Sequence, residues 1–231
     1  MSEASSFRES ADRLQAAFAA NPVIRAVNFH STPASSSAKF EQQLAQYSRS
    51  FTSVSESDLL GYLATGKWHK DKPGLIVSVF EGYRNSIDVL LPLLEKHGFI
   101  GWFWLITGFL DAPVEQQRDF AEHHDIDMET HEYPDGRYAM TWDDVRAISA
   151  RHVVACHSRS HMLLAPMSVD QQREEIVGSQ DEFRRQLGRP ARAFVSLTGP
   201  AYGENAVTDR LIDEAGYELV LSNFRIQKVR G

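Results

Sequence analysis

Cys156 is the only cysteine among 231 residues, so no disulfide can form within the chain. A reducing cytoplasm is the expected setting. No apolar run approaches the ~18–20 residues of a membrane span. The first residues, MSEASSFRESADRLQAAFAANP, lack the basic start and apolar core of a secretory signal. Basic charge is scarce: 24 Lys and Arg against 31 Asp and Glu leave a net charge of −7. With a pI near 5.7, a nucleic-acid backbone finds no electrostatic support. Internal repeats, low-complexity segments and linkers are also missing. What remains is ordinary for a soluble globular protein, 42% hydrophobic and 24% charged, and long enough for one α/β domain with a full core. No nucleic-acid or membrane partner is expected, and the oligomeric state is left open.

The most informative stretch is 72–111, KPGLIVSVFEGYRNSIDVLLPLLEKHGFIGWFWLITGFLD. Leu75 to Phe80 runs almost without a polar residue, which predicts a strand buried on both faces. Glu81-Gly82 ends it. Apolar spacing from Asn85 to His97 predicts a helix, stopped by Gly98. A second apolar run, Phe99 to Ile106, completes a β-α-β unit. Upstream, Phe7–Ala20 has helical spacing and is read as a helical extension over residues 1–22, packed outside a domain spanning 23–231. Val23–Phe29 predicts a strand ending at His30, Lys39–Ser48 a helix, and Leu59-Leu60 a short helix capped by Ser55 or Ser57. Downstream, Ala112–Arg137 is a polar insert too rich in charge to be core, and its His123-His124-Asp125 cluster is read as solvated. Thr141 caps a helix with Asp143 and Asp144 in its first turn. His152–Cys156 is a strand ending at His157, and Ser168–Gln186 a long helix. Ala193–Leu197 is a strand running into the Gly199–Gly203 turn, Ala206–Ala215 a helix, and Leu219–Ser222 the last clear strand.

Strands alternating with helices predict a parallel barrel or a doubly wound sheet. Placed on that pattern, His30, Glu81, Thr107/Asp111, His157 and Gly199–Gly203 all fall just past the C-terminal end of a strand. In a barrel these five positions share one mouth, where chemistry sits. The sharpest local signal is His157-Ser-Arg-Ser-His161. If the chain turns helically there, residues four apart share a face and two imidazoles can reach one ion. Glu81, at the neighbouring strand end, supplies a third ligand of the kind a catalytic zinc-type site needs beside an open position.

These segments resemble the polysaccharide deacetylases, metal-dependent carbohydrate esterases. GLIVSVFEGYRNSIDVLLPLLEKHGFIGWFWLITG is similar to that family's strand ending in T-F-D-D-G-Y and leading to L-P-x-L-x-x-x-G. YAMTWDDVRAISARHVVACHSRSHM resembles its M-T-W-x-x-V stretch leading to H-S/T-x-x-H-P. FVSLTGPAYGENAVTDRLIDEAGYELVLSN resembles its P-Y-G-x-x-N and A-G-Y segments, and VNFH the strand before its core. The likeness runs from Val23 to Asn223. It implies an α/β fold, an irregular (β/α) barrel of about seven strands in a single domain, to which the N-terminal helix is added. It also implies a divalent metal such as zinc on Glu81, His157 and His161, a carbohydrate or other small-molecule substrate, and Phe80, Pro200 and Tyr202 beside that substrate.

The carry-over is incomplete. The family's general base falls on Phe80, which cannot take a proton. Met162 replaces the proline after the second histidine, the arginine before P-Y-G is absent, and no histidine follows His161. Glu81 itself, His30, Asp111, His123 and His124 are the candidates to replace the missing acid and base. Three readings stay open at this point. One is a metal-dependent hydrolase cleaving an amide or ester of an acetylated carbohydrate or similar molecule. Another is a catalytically silent relative binding a sugar-like ligand against Phe80, Met162, Trp102 and Trp104. The third is a purely structural cluster of Glu81, His157 and His161.

Overall fold

Gly74–Glu81 (β3) is buried at every residue, as a strand covered on both faces must be. In the computed structural model, which describes residues 23–223 and 225–230, the sheet is built outward from this strand. Ile24–Phe29 (β1) lies on one side of it in parallel, and the two-residue Thr52–Ser53 (β2) also pairs with it. On its other side follow Gly101–Leu105 (β4), Val153–Cys156 (β5), Ala193–Phe194 (β6) and Leu219–Leu221 (β7), all parallel. Ile226–Lys228 (β8) closes the order β1-β3-β4-β5-β6-β7-β8 and runs antiparallel to β7. The last strand was not expected. Its direction follows from length, because the connection 222–225 is far too short for the crossover a parallel neighbour needs. The helix read at Phe7–Ala20 lies outside the described residues.

Side chains alternate across the sheet. Ile76 and Phe80 of β3, Trp102 and Trp104 of β4, Ala155, Ala193, and Leu219 and Leu221 form one apolar cluster. The interleaved Leu75, Val77, Val79, Phe103, Leu105, Val154, Cys156, Phe194 and Val220 form the other, against helix residues such as Leu44, Leu94, Val145, Phe183 and Leu211. Ile24 from the first strand and Leu221 and Ile226 from the last two line one cavity of about 410 Å³. The sheet is therefore curled, its inner face filled by the first cluster, and this is the expected irregular (β/α) barrel. Trp102 and Trp104 are fully buried there; truncating either to Ala would cost about 3–5 kcal/mol.

Capping chemistry sets the helix starts as read from sequence. Ser55 and Asp58, and likewise Thr141 and Asp144, form reciprocal capping boxes. Two predicted helices are interrupted. The first is a π turn, Ser86–Leu90, followed by Leu91–Lys96. The second runs Val169–Arg173, then a π turn Glu174–Gly178, then Ser179–Leu187. The insert also departs from expectation. Its helix Gln117–His123 buries Gln117 and Ala121, and Ala121 and Ile126 join Tyr83, Ile106 and Phe109 in a third apolar cluster. Its polar composition hides this, because a helix needs only one stripe of apolar residues to dock.

Candidate metal centre

Strict alternation would send Glu81 away from Phe80, into the helix layer. The backbone prevents it. Glu81 has φ 67° and Gly82 φ 93°, and the Gly82 N–H donates to the Phe80 carbonyl at 2.9 Å. This γ-turn is a strained conformation for a residue with a side chain. It ends β3 and lets two consecutive side chains meet the same mouth. Phe80 lies stacked on the His30 ring (centroids 5.2 Å apart) and edge-on to His157 (5.3 Å). Leu110 lies where a Cβ at residue 82 would stand, 2.6 Å away, so glycine is needed there for space as well as for φ.

His157 and His161 arrive by a different route from the helical turn considered above. Residues 157–161 are irregular, with Ser158 (φ 61°) and His161 (φ 55°) both left-handed. Five hydrogen bonds to three residues hold this loop. The buried Glu175 carboxylate accepts the Arg159 and Ser160 amides at 3.0 and 2.8 Å, and the Ser160 hydroxyl. The Thr107 and Gly108 amides donate to the Ser158 and Arg159 carbonyls at 3.2 and 2.8 Å. A Cβ at Gly108 would stand 2.5 Å from that Arg159 oxygen. Glu175 sits in the second π turn, a local irregularity often found at functional sites.

The outcome is a buried cluster in which ligand atoms of Glu81, His157 and His161 all lie within 4.8 Å of one another. His157 Nδ1 donates to the Val195 carbonyl at 3.1 Å, and His161 Nδ1 to the His124 carbonyl at 2.9 Å. Both rings are thereby oriented with Nε2 left for the cluster. Burial pushes the His157 imidazole down to about 3, with the neighbouring His161 adding to the effect, so its lone pair is available at neutral pH. One carboxylate and two imidazoles, with their outer nitrogens tied to carbonyls, suit a zinc-type ion with an open position.

His30 is hydrogen-bonded to the cluster. Its Nδ1 donates to both Glu81 oxygens, at 2.9 and 3.1 Å, and the hydrogen bond to Glu81 raises its pKa. Asn85 ties down the loop behind it, accepting the Thr32 amide and donating to Ser31. Asp111 is placed elsewhere. It accepts the Trp142 indole N–H at 2.8 Å and lines a neighbouring cleft of about 520 Å³ with His123, His124 and Arg159. The His123 and His124 rings each bond a carbonyl one turn back in their own helix, so His124 serves the cluster through its backbone. Pro200 and Tyr202 line a separate cavity of about 250 Å³, with the Tyr202 hydroxyl on Asp213.

Sequence reasoning missed Glu175, Gly108 and the two carbonyl partners. Glu175 left a trace, since it falls four residues before Ser179 and three after Gln172, on the buried stripe of its helix. The carbonyls left none, because every residue carries one.

A family model described as polysaccharide deacetylase matches residues 69–220. No curated protein matches the sequence. Among solved structures, the Streptococcus pyogenes deacetylase PplD, in complex with acetate, is similar at 16% identity and TM-score 0.65, over 91% of this chain and 87% of its own. IcaB from Ammonifex degensii is similar at 19% identity and TM-score 0.65, over 87% and 83%. A de-N-acetylase from Aggregatibacter actinomycetemcomitans is similar at 16% identity and TM-score 0.66, over 90% and 91%. At these identities the likeness is one of fold.

Proposed function

The chain belongs to the polysaccharide deacetylase family, and on that premise we propose that it is a metal-dependent hydrolase of an amide or ester bond in an acylated carbohydrate. In this reading Glu81, His157 and His161 hold a divalent ion, zinc by the nature of the donors. The observation carrying the proposal is their convergence within 4.8 Å, with both Nδ1 atoms committed to carbonyls. When bound, such an ion supplies Lewis-acid polarisation of the substrate carbonyl.

The chain's own groups do the rest. Val195 and His124 fix the imidazole planes, and the Glu81 carboxylate offsets positive charge in a buried site. Phe80 stands at the position where the family's motif has a proton acceptor and offers only a ring. The proton-handling role then passes to His30, whose Nδ1 is held by Glu81 and whose ring is exposed at the mouth. General acid–base help of this kind is typically worth ~10²–10⁴-fold. Asp111 is a weaker candidate, since its carboxylate is engaged by Trp142.

Metal analysis of the purified protein, with acetate release from acetylated chito-oligosaccharides, tests the proposal. Wild type should bind close to one ion per chain, His157→Ala should lose it, and His123→Ala should keep it. Retention of the ion by His157→Ala would refute the ligand assignment. His30→Ala should slow acetate release far more than Asp111→Asn at equal metal content.

A further inference from the structure

Three tyrosines are buried among the described residues, Tyr83, Tyr138 and Tyr217. A buried phenol normally spends its hydroxyl on a partner. Tyr138 donates to the Thr130 carbonyl at 2.6 Å, and Tyr217 to the Ile176 carbonyl at 3.2 Å. Tyr83, only 3% exposed, has no such partner among the described residues. Its oxygen is not one of the partnerless atoms sealed from solvent either, which belong to Ser78, Ser86, Trp104, Thr107 and His152. The tip of an otherwise buried ring therefore reaches open space with its donor unspent.

Residues of the candidate metal centre bracket this ring. Tyr83 stands two residues beyond Glu81, across the turn that ends β3. His30 follows β1, on one side of β3. The Tyr83 ring leans to the other side, edge-on to Phe109 (centroids 6.0 Å apart) and in one apolar cluster with Ile106, both just past β4. Ile126 of the insert shares that cluster, two residues after His124, whose carbonyl holds His161. The same stretch of insert is tied at its far end, where the Glu132 carboxylate accepts the Ala34 amide at 2.8 Å and the Asn85 side chain at 2.9 Å. Segment 124–132 thus runs from a residue of the cluster to the loop after His30, and the Tyr83 ring packs against it. Burial raises the Tyr83 pKa, and the charges of Glu81 and Asp127 add to the rise. Both carboxylates therefore lie close to the hydroxyl.

We propose that the Tyr83 hydroxyl is the site's hydrogen-bond donor to the substrate's carbonyl oxygen, acting from the side of Glu81 opposite His30. The inference rests on the hydrolase reading above for its chemistry. As water adds to the carbonyl carbon, the π pair of the C=O bond moves onto the oxygen and negative charge develops there. His30 takes the proton from the water, while Tyr83 keeps its own and only tightens a hydrogen bond. A donor already fixed in a buried site needs little reorganisation when that charge appears. Phenylalanine would fill the same space in the apolar cluster, so what the hydroxyl adds lies at its open tip.

Tyr83→Phe in the full-length, zinc-loaded protein tests this with three probes. Two are substrates, p-nitrophenyl acetate and an acetylated chito-oligosaccharide; the third is methylphosphonate, a tetrahedral anion shaped like the addition state. The variant should lower kcat for both substrates roughly 10–100-fold, somewhat below the ~10²–10³ of other oxyanion donors, with KM little changed. Methylphosphonate affinity, read by calorimetry, should fall about tenfold or more, as for a lost hydrogen bond to a charged group. Zinc content and thermal midpoint should stay at wild-type values. Tyr138→Phe is the control. It loses an internal hydrogen bond, so it should lower the midpoint and leave kcat and phosphonate affinity unchanged. Turnover and phosphonate affinity equal in Tyr83→Phe and wild type would overturn the proposal. A loss confined to the oligosaccharide would place the hydroxyl on the leaving atom and overturn it too, since p-nitrophenolate departs without a proton. A wild type that cleaves neither substrate, yet binds methylphosphonate through Tyr83, would overturn the hydrolase reading and leave the donor standing.

Discussion

Removing Glu175 tests whether the loop bearing both histidines is held by hydrogen bonds or by charge. The residue is 6% exposed, and its carboxylate meets two backbone amides and one hydroxyl of that loop. Hydrogen bonds to a charged acceptor are each worth about 1.5–3 kcal/mol. Glu175→Ala forfeits three, but Ser160 and Arg159 are only half-buried, so water recovers part, and a loss of about 3–5 kcal/mol is expected. Glu175→Gln is different. Its remaining oxygen can still accept both amides, and its NH2 can donate to the Ser160 hydroxyl. It also removes a buried negative charge that no cation neutralises among the described residues, and burying such a charge is costly. The two effects oppose, so Glu175→Gln should change stability by no more than about 1 kcal/mol. Urea denaturation reads the stabilities, and competitive zinc titration should show about a 10–100-fold weaker site in the alanine variant. An alanine variant as stable and as tight for zinc as wild type would refute the hydrogen-bond argument. A glutamine variant as damaged as alanine would show that charge, not geometry, holds the loop.

Three other outcomes follow from the same geometry. Phe80→Asp should raise acetate release from acetylated chito-oligosaccharides only partially at equal metal occupancy, since His30 already serves as base beside that position; a rise as large as the usual ~10²–10⁴-fold of general-base help would show that His30 does not. Gly108→Ala forces a Cβ to 2.5 Å from the Arg159 oxygen, a backbone atom that cannot step aside cheaply, and should cost about 1–3 kcal/mol and weaken zinc binding, as denaturation and metal titration would report. In the metal-free protein, His157 is held near 3 against 6.5 when unfolded, so the unfolded chain binds more protons between those values. Its contribution to stability should be full above about pH 6.5 and lost as pH falls towards 3, and His157→Gln should flatten that slope in pH-dependent melts.

Sequence alone determined the order of the parallel strands flanking the centre and of most helices between them, because buried runs such as Leu75–Phe80 and caps such as Ser55 and Thr141 are local signals read within a few residues. It also marked which side chains could form the centre, since Glu81 and His157 stand at strand ends that share a mouth and His161 lies four residues beyond His157. It failed where the backbone departs from regularity. Alternation could not say that Glu81 takes a left-handed turn, nor helical spacing that 157–161 is a loop, because both segments are held by partners distant in sequence: the Ile106 and Met140 amides on the Glu81 and Gly82 carbonyls, and Gly108 and Glu175 on the loop. The insert deceived for a related reason, its buried face being defined only by Tyr83 and Phe109 across from it. Asp111, equivalent to the other candidates in the linear pattern, was drawn to the Trp142 indole, and His30 to Glu81. A strand-end position is written in the chain, but the direction a side chain takes from it depends on which donor or packing surface the tertiary structure sets within reach.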